Sequence, residues 1–158
     1  MRFWQIARTL QLRRATGHWT DGPHTMLRTL DTNICSYVLR RRPAAMLERF
    51  ATLNRQQLWL SGIVAAELRF GAAKLGVPRF TTAVETWLAG FDVQAWPVQA
   101  TGHYAQIRAK LERDGNIIGA MDLLIAAHAL ANDSVLVTNN AREFARVPGL
   151  AVEEWQLI

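Results

Sequence analysis

Three acidic residues lie in surroundings that make charge expensive. They are Asp31 in Leu30-Asp-Thr-Asn33, Glu67 in Ala65-Ala-Glu-Leu-Arg-Phe-Gly-Ala72, and Asp122 in Ile118-Gly-Ala-Met-Asp-Leu-Leu-Ile-Ala-Ala-His128. An ionised carboxylate among apolar neighbours is costly unless it is paired or holds a metal. No lysine or arginine adjoins Asp122 in the chain. If the three meet within about 5 Å, each pair repels by roughly 3 kcal/mol at an effective dielectric of about 20, so the cluster calls for a cation. All-oxygen donors select Mg²⁺ or Mn²⁺ over zinc. Such an ion on carboxylates suits phosphodiester hydrolysis: it lowers the pKa of a water and neutralises charge developing on the phosphate. A fourth candidate follows in Thr138-Asn139-Asn140, where either amide can offer an oxygen to a metal or position a water. Thr32 and Ser61 are placed to hold the acids from behind.

Positioning these groups requires a scaffold, and the hydrophobic pattern supplies one. Short apolar strands are expected at Leu27–Asp31, Leu58–Ser61, Val93–Trp96, Ser134–Thr138 and Leu150–Trp155. Helical spacing runs over Ile34–Arg41, from Pro43 as a first-turn residue to about Leu53, and over Ile63–Lys74, Arg79–Phe91, Ala100–Arg113, Met121–Ala131 and Ala141–Ala145. Apolar strands alternating with helices imply an α/β fold of three layers, with a short, mainly parallel five-stranded sheet covered on both faces. In such sheets the site lies beyond the carboxyl ends of the strands, where Asp31, Glu67 and Asp122 all map.

The chain has 158 residues and a formal net charge of +5, half of it hydrophobic. That length fits one domain, and roughly two-thirds of the unfolded surface can be buried without covalent staples. Cys35 is the only cysteine, so no intramolecular disulfide can form, which fits a reducing, cytoplasmic setting. No uncharged apolar run reaches the roughly 18 residues of a membrane span. The charge is uneven: Arg2, Arg8, Arg13 and Arg14 against Asp21 place +3 in residues 1–25. Those residues, with turn-rich Thr16–Thr25, read as a loosely ordered N-terminal extension, with a short helix over Phe3–Leu12 and Met26 as an alternative start. Residues 26–158 form the domain and carry the remaining +2.

Taken together and in this order, Leu30-Asp-Thr-Asn33, Ser61–Ala72, Ile118–Ala129 and Val137-Thr-Asn-Asn-Ala-Arg-Glu-Phe144 resemble the PIN domain, and within it the VapC-type toxins of bacterial toxin–antitoxin pairs. The tail Arg146–Trp155 is similar to the family's last strand, and the resemblance covers Met26 to Trp155. It implies a Mg²⁺- or Mn²⁺-dependent endoribonuclease that cuts RNA and inhibits translation, a homodimer, and a small VapB-like antitoxin. Carried over by motif, Asp31, Glu67 and Asp122 are the metal-binding acids. Many PIN domains have a fourth aspartate where this chain has Asn140, which favours one metal over two. The antitoxin is expected to cover the acids, with an arginine beside them, and apolar faces around Phe70, Phe80 and Trp87 are expected to meet a second copy or the antitoxin.

Each residue also has a plainer reading. Asp31 suits a helix N-cap, Glu67 an ion pair with Arg69 or Arg113, Asp122 a first-turn helix acid, and Asn139 and Asn140 a turn. His103 and His128 read as packing or surface residues; His128, six positions after Asp122, belongs to another face of that helix. Cys35 reads as core, Arg40-Arg-Arg42 as a solvated helix end or a phosphate contact, and Trp59, Trp87, Trp96 and Trp155 as core or interface anchors. A haloacid-dehalogenase-like phosphatase would need a second aspartate where Asn33 stands, and neither Lys74 nor Lys110 fits the late lysine of that class or of a receiver domain. The non-enzymatic alternative is a degenerate PIN module that binds RNA or a protein without cutting.

Overall fold

The run Leu58-Trp-Leu-Ser61 is buried at every position, and so is Val135-Leu-Val-Thr138. Strands buried on both sides need helices on both faces of the sheet, and parallel strands joined by helical crossovers provide them. The computed structural model describes residues 26–41 and 43–156. The expected extension over 1–25, with its short helix, and Arg42 of the arginine run lie outside the described residues.

Five strands form the sheet: β1 (Arg28–Leu30), β2 (Leu58–Ser61), β3 (Asp92–Gln94), β4 (Val135–Thr138) and β5 (Val152–Glu154). Their order is β3-β2-β1-β4-β5, and every pairing is parallel, not merely most of them. Seven α-helices accompany them among the described residues: α1 (Thr32–Arg40), α2 (Ala44–Thr52), α3 (Gly62–Leu75), α4 (Pro78–Leu88), α5 (Ala100–Arg113), α6 (Ala120–Ala131) and α7 (Ala141–Phe144). This is the expected three-layer α/β/α arrangement. Helix α5 packs along α6, α3 along α4, and α1 against both α2 and α3. No helix among the described residues is long and apolar enough to cross a membrane.

Boundaries follow local chemistry. Helix α3 stops at Gly76, whose φ of 67° is a left-handed cap that glycine adopts without strain. Pro43 caps α2 in extended backbone instead of entering its first turn. A 3₁₀ turn at Arg55–Gln57, unforeseen from periodicity, leads into β2.

Trp59 and Trp155 are core anchors, each almost fully buried. Trp87 corrects the expectation of an apolar docking face, because it lies inside the domain, its ring centroid 5.0 Å from Phe50 and 4.8 Å from Phe91. The Arg55 guanidinium covers this cluster, 4.2 Å from the Phe50 ring and 4.6 Å from Phe91. Phe80 packs partly against the core, and Phe70 alone of the three is widely exposed, at 68%.

Candidate active site

Asp31 leaves β1 at the central crossing of the sheet. Its N–H donates to the Val137 carbonyl at 3.0 Å, extending the β1–β4 ladder by one bond. Its Oδ1 accepts from the Ile34 N–H at 2.8 Å, so it does cap α1. Its Oδ2 accepts from the Thr138 hydroxyl, which itself accepts the Asn140 N–H at 2.9 Å. The cap reading and the site reading therefore hold together: capping fixes the rotamer, and Thr138 ties the carboxylate to the end of β4. Only 3% of Asp31 is exposed. Burial pushes its carboxyl up to about 6, and repulsion from Glu67 adds to the rise.

Glu67 sits in α3, half-buried, and accepts from the Thr32 hydroxyl. It forms no ion pair with Arg69, which makes a bidentate pair with Glu85 at 2.8 and 2.9 Å. Asp122 lies in the first turn of α6, also half-buried. Burial pushes it up to about 6, followed by repulsion from Glu143, Glu67 and Asp31 in that order. The fold thus brings the three expected acids into one electrostatic cluster.

Glu143 on α7 is a fourth carboxylate of that cluster, and sequence reasoning missed it. It accepts from the Asn140 side-chain amide. Asn140 links Thr138 and Glu143, with its backbone N–H on Thr138 and its side chain on Glu143. The signal was present three residues after Asn140, in the stretch Asn140-Ala-Arg-Glu143, but Arg142 beside it reads as a solvated pair. Asn139 keeps a buried Oδ1 with no partner among the described residues. Ser61 corrects another expectation: it holds no acid. Its Oγ accepts the Ile63 N–H at 3.1 Å, capping α3, and lies 2.9 Å from His128 Nδ1.

None of these four carboxylates has a lysine or arginine partner among the described residues, where the ion pairs all lie elsewhere. The donor set is all oxygen and its charge is uncompensated, so its chemistry fits a hard divalent cation. As the side chains stand, no three acids, histidines or cysteines among the described residues are grouped to hold one ion. Glu67 is turned onto Thr32 and Glu143 onto Asn140, so ligation calls on those side chains to turn.

Gly119, just before α6, has Asp122 Oδ2 only 2.7 Å from where a Cβ would stand. A methyl there forces the carboxylate into another rotamer. If Asp122 acts in the chemistry, Gly119→Ala is expected to lower turnover by roughly tenfold or more, since small displacements of a reacting group are costly, with a small change in melting temperature. Steady-state kinetics beside a thermal melt check this; unchanged turnover would show that the Asp122 rotamer does not matter.

The titrations oppose one another. Asp31 and Asp122 have folded pKa values near 6, above the 3.8 of a free aspartate, so their contribution to stability is complete below 3.8 and lost as pH rises through about 6. His128 is depressed by burial to about 4 from 6.5, so its contribution is present above 6.5 and lost as pH falls through about 4. The metal-free Asp31→Asn/Asp122→Asn variant loses the two opposing aspartate effects and keeps that of the histidine. It is expected to lose more stability than wild type between pH 6.5 and 4 in thermal melts, and parallel curves would refute the assignment.

Residues 28–150 match the PIN domain family model, and the chain belongs to that family. Within it, the relatives are VapC proteins. The chain is 42% identical over 127 residues to the tRNA(fMet)-specific endonuclease VapC of Shigella flexneri, a match covering 80% of this chain and 96% of that protein. It is 36% identical over 132 residues to ribonuclease VapC2 of Rickettsia felis, covering 82% and 98%. Among solved structures, DNA-bound VapBC from Salmonella typhimurium superposes with a TM-score of 0.76 at 39% identity, over 83% of this chain and 99% of that one. VapBC2 from Rickettsia felis, bound to a promoter DNA fragment, gives 0.73 at 36% identity, over 83% and 100%.

Proposed function

We propose that this chain is a VapC-type toxin, an endoribonuclease dependent on Mg²⁺ or Mn²⁺ that cuts RNA phosphodiester bonds in the cytoplasm and so inhibits translation. The observation that carries this is the cluster of Asp31, Glu67, Asp122 and Glu143, which share one site without a basic partner among the described residues, in a chain whose relatives are named as ribonucleases.

Asp31, Glu67 and Asp122 would hold the ion. A bound divalent cation supplies charge neutralisation at the phosphate and a more acidic water. Thr138 and the Ile34 N–H keep Asp31 in one orientation. Burial and the neighbouring acids push the metal-free Asp122 carboxyl up to about 6, so a bound cation would hold it ionised. Asn140 and Glu143 stand at the fourth corner, where an amide and a carboxylate can orient that water for in-line attack. The acids that repel one another in the metal-free protein also repel an RNA phosphate, so the ion is needed for the substrate to approach as well as for chemistry.

The partner proposed is a VapB-type antitoxin, since the matched solved structures are VapBC complexes, and the toxin itself would be a homodimer. The alternative, a module that binds RNA or protein without cutting, is favoured by one feature: the acids are not grouped around an ion as they stand. Purified chain incubated with a defined tRNA in Mg²⁺, Mn²⁺ or EDTA decides between them. Cleavage in either metal that EDTA stops is expected; RNA binding without cleavage in both metals would establish the alternative. Millimolar Mn²⁺ is also expected to raise the melting temperature of wild type, and not of Asp122→Asn, because a ligand bound only to the folded state stabilises it. Equal shifts in both would place the ion elsewhere.

A further inference from the structure

Helix α6 carries Asp122 in its first turn and His128 in its last. The two do not share a face, and the ribonuclease reading gives His128 no task. Yet His128 is 1% exposed, on an otherwise apolar stretch that reads Leu-Leu-Ile-Ala-Ala before it and Ala-Leu-Ala after it. Its Nε2 is buried without a hydrogen-bond partner among the described residues. An orphaned ring nitrogen destabilises a core, so a leucine would fit this place at less cost. What the imidazole has and leucine lacks is Nδ1, 2.9 Å from Ser61 Oγ.

Ser61 is the residue where β2 becomes α3. Its Oγ accepts the Ile63 N–H and so fixes the first turn of the helix that carries Glu67. The His128 ring is itself seated on Trp59, with centroids 4.5 Å apart, and the Trp59 indole is anchored on Ser134 Oγ at 3.0 Å. A continuous connection therefore runs from Asp122 down α6 to His128, across to the Ser61 cap, and up α3 to Glu67. From this geometry we infer that His128 is a positioning residue: through Ser61 it sets the separation of α6 and α3, and with it the spacing of Asp122 and Glu67. This rests on the metal-ribonuclease reading for its consequence, but the connection itself is in the fold.

The test compares His128→Leu, His128→Asn, Ser61→Ala and the double variant His128→Leu/Ser61→Ala. Asparagine keeps an amide group, able to donate or accept, near the place of Nδ1; leucine fills the volume without one. Turnover and KM are measured on RNA in Mg²⁺, Mn²⁺ affinity by calorimetry on RNA-free protein, and folding by thermal melt. His128→Leu is expected to lower kcat about tenfold, within the range for sub-ångström misplacement of reacting groups, with KM nearly unchanged and weaker Mn²⁺ binding, while its melting temperature holds or rises. His128→Asn is expected to melt lower than His128→Leu yet to cut faster, so that the orders of stability and activity reverse. The double variant should be no slower than the slower single variant, because both break one connection.

Wild-type kcat and Mn²⁺ affinity in His128→Leu would overturn the inference, as would multiplicative losses in the double variant or an asparagine variant slower than leucine. If His128→Leu does not fold, Ser61→Ala must still slow turnover and His128→Asn must cut faster than Ser61→Ala; the opposite result overturns it. If wild type cuts no RNA in either metal, the ribonuclease reading has failed separately. The Mn²⁺ affinities of wild type and Ser61→Ala then decide the positioning role, equal values overturning it.

Discussion

Asp31→Asn is expected to lower RNA cleavage by about a thousandfold or more while leaving the protein as stable as wild type, or more stable, at pH 7. The two halves of this result have one cause. Asp31 is buried to 3% exposure, and its carboxyl is pushed up to about 6 by burial and by Glu67. Keeping it ionised at neutral pH costs about 3 kcal/mol for a two-unit shift. Asparagine removes that charge but keeps an Oδ1 to accept the Ile34 N–H, so the α1 cap survives. Its amide can meet Thr138 once the hydroxyl turns. What it removes is the negative charge that the proposed ion would need at this place. Activity against stability in this direction is the signature of a site that holds repulsion for a purpose. Chemical denaturation beside single-turnover cleavage measures both; an active Asp31→Asn, or one destabilised by several kcal/mol, would show that Asp31 is mainly a cap. Asp31→Ala is a poorer probe, because it also loses the cap, worth about 1 kcal/mol.

The second large effect is structural. Trp59→Ala should destabilise the domain by about 3–5 kcal/mol. Trp59 on β2 is 2% exposed, donates its indole N–H to Ser134 and carries the His128 ring. Alanine leaves a cavity, a Ser134 hydroxyl that keeps only its bond to the Asn132 carbonyl, and a histidine with no floor. A domain with roughly 5–15 kcal/mol of total stability loses a large share of it. A fall in melting temperature of roughly 10 °C or more is expected, and Trp59→Phe, which keeps a ring, should lose less. A melt within a few degrees of wild type for Trp59→Ala would mean that the floor under the site is carried by other side chains.

The three acids were legible as candidates in the sequence because each breaks an apolar context, at the end of a strand or in the first turns of a helix, and such positions can meet at one edge of a parallel sheet. Asp31, Glu67 and Asp122 sit there. The alternation of short buried strands with amphipathic helices was legible for the same reason, and the all-parallel order of the sheet follows from it. Glu143 was not, because Arg142 beside it makes a short helix look solvated, and its nearness to Asp122 depends on how α7 packs after β4. Ser61 was expected, with Thr32, to hold the acids; its partner in the fold, His128, is 67 residues away, a pairing that no local pattern encodes. Trp87 read equally as a core anchor or as part of a docking face, because an amphipathic helix offers its apolar side to either, and the Phe50–Phe91–Arg55 cluster shows that this side faces inward. Local chemistry thus announces which residues want a partner, while the identity of the partner is set by tertiary packing.

The site also changes what the net charge of +5 means. Three of those charges lie in residues 1–25, outside the described residues, so on the proposed reading attraction for RNA within residues 26–158 would depend on filling the acidic cluster with a cation. The most direct test is single-turnover cleavage of one defined tRNA by wild type, Asp31→Asn and Asp122→Asn, each with Mn²⁺ and with EDTA, all three shown to be folded by thermal melt. Cleavage by wild type in Mn²⁺ alone, with both variants at least about a hundredfold slower, is the predicted result, in keeping with the loss of a group that acts on the transition state. Equal cleavage by all three proteins, or wild-type cleavage untouched by EDTA, would contradict a metal-dependent site built on these acids.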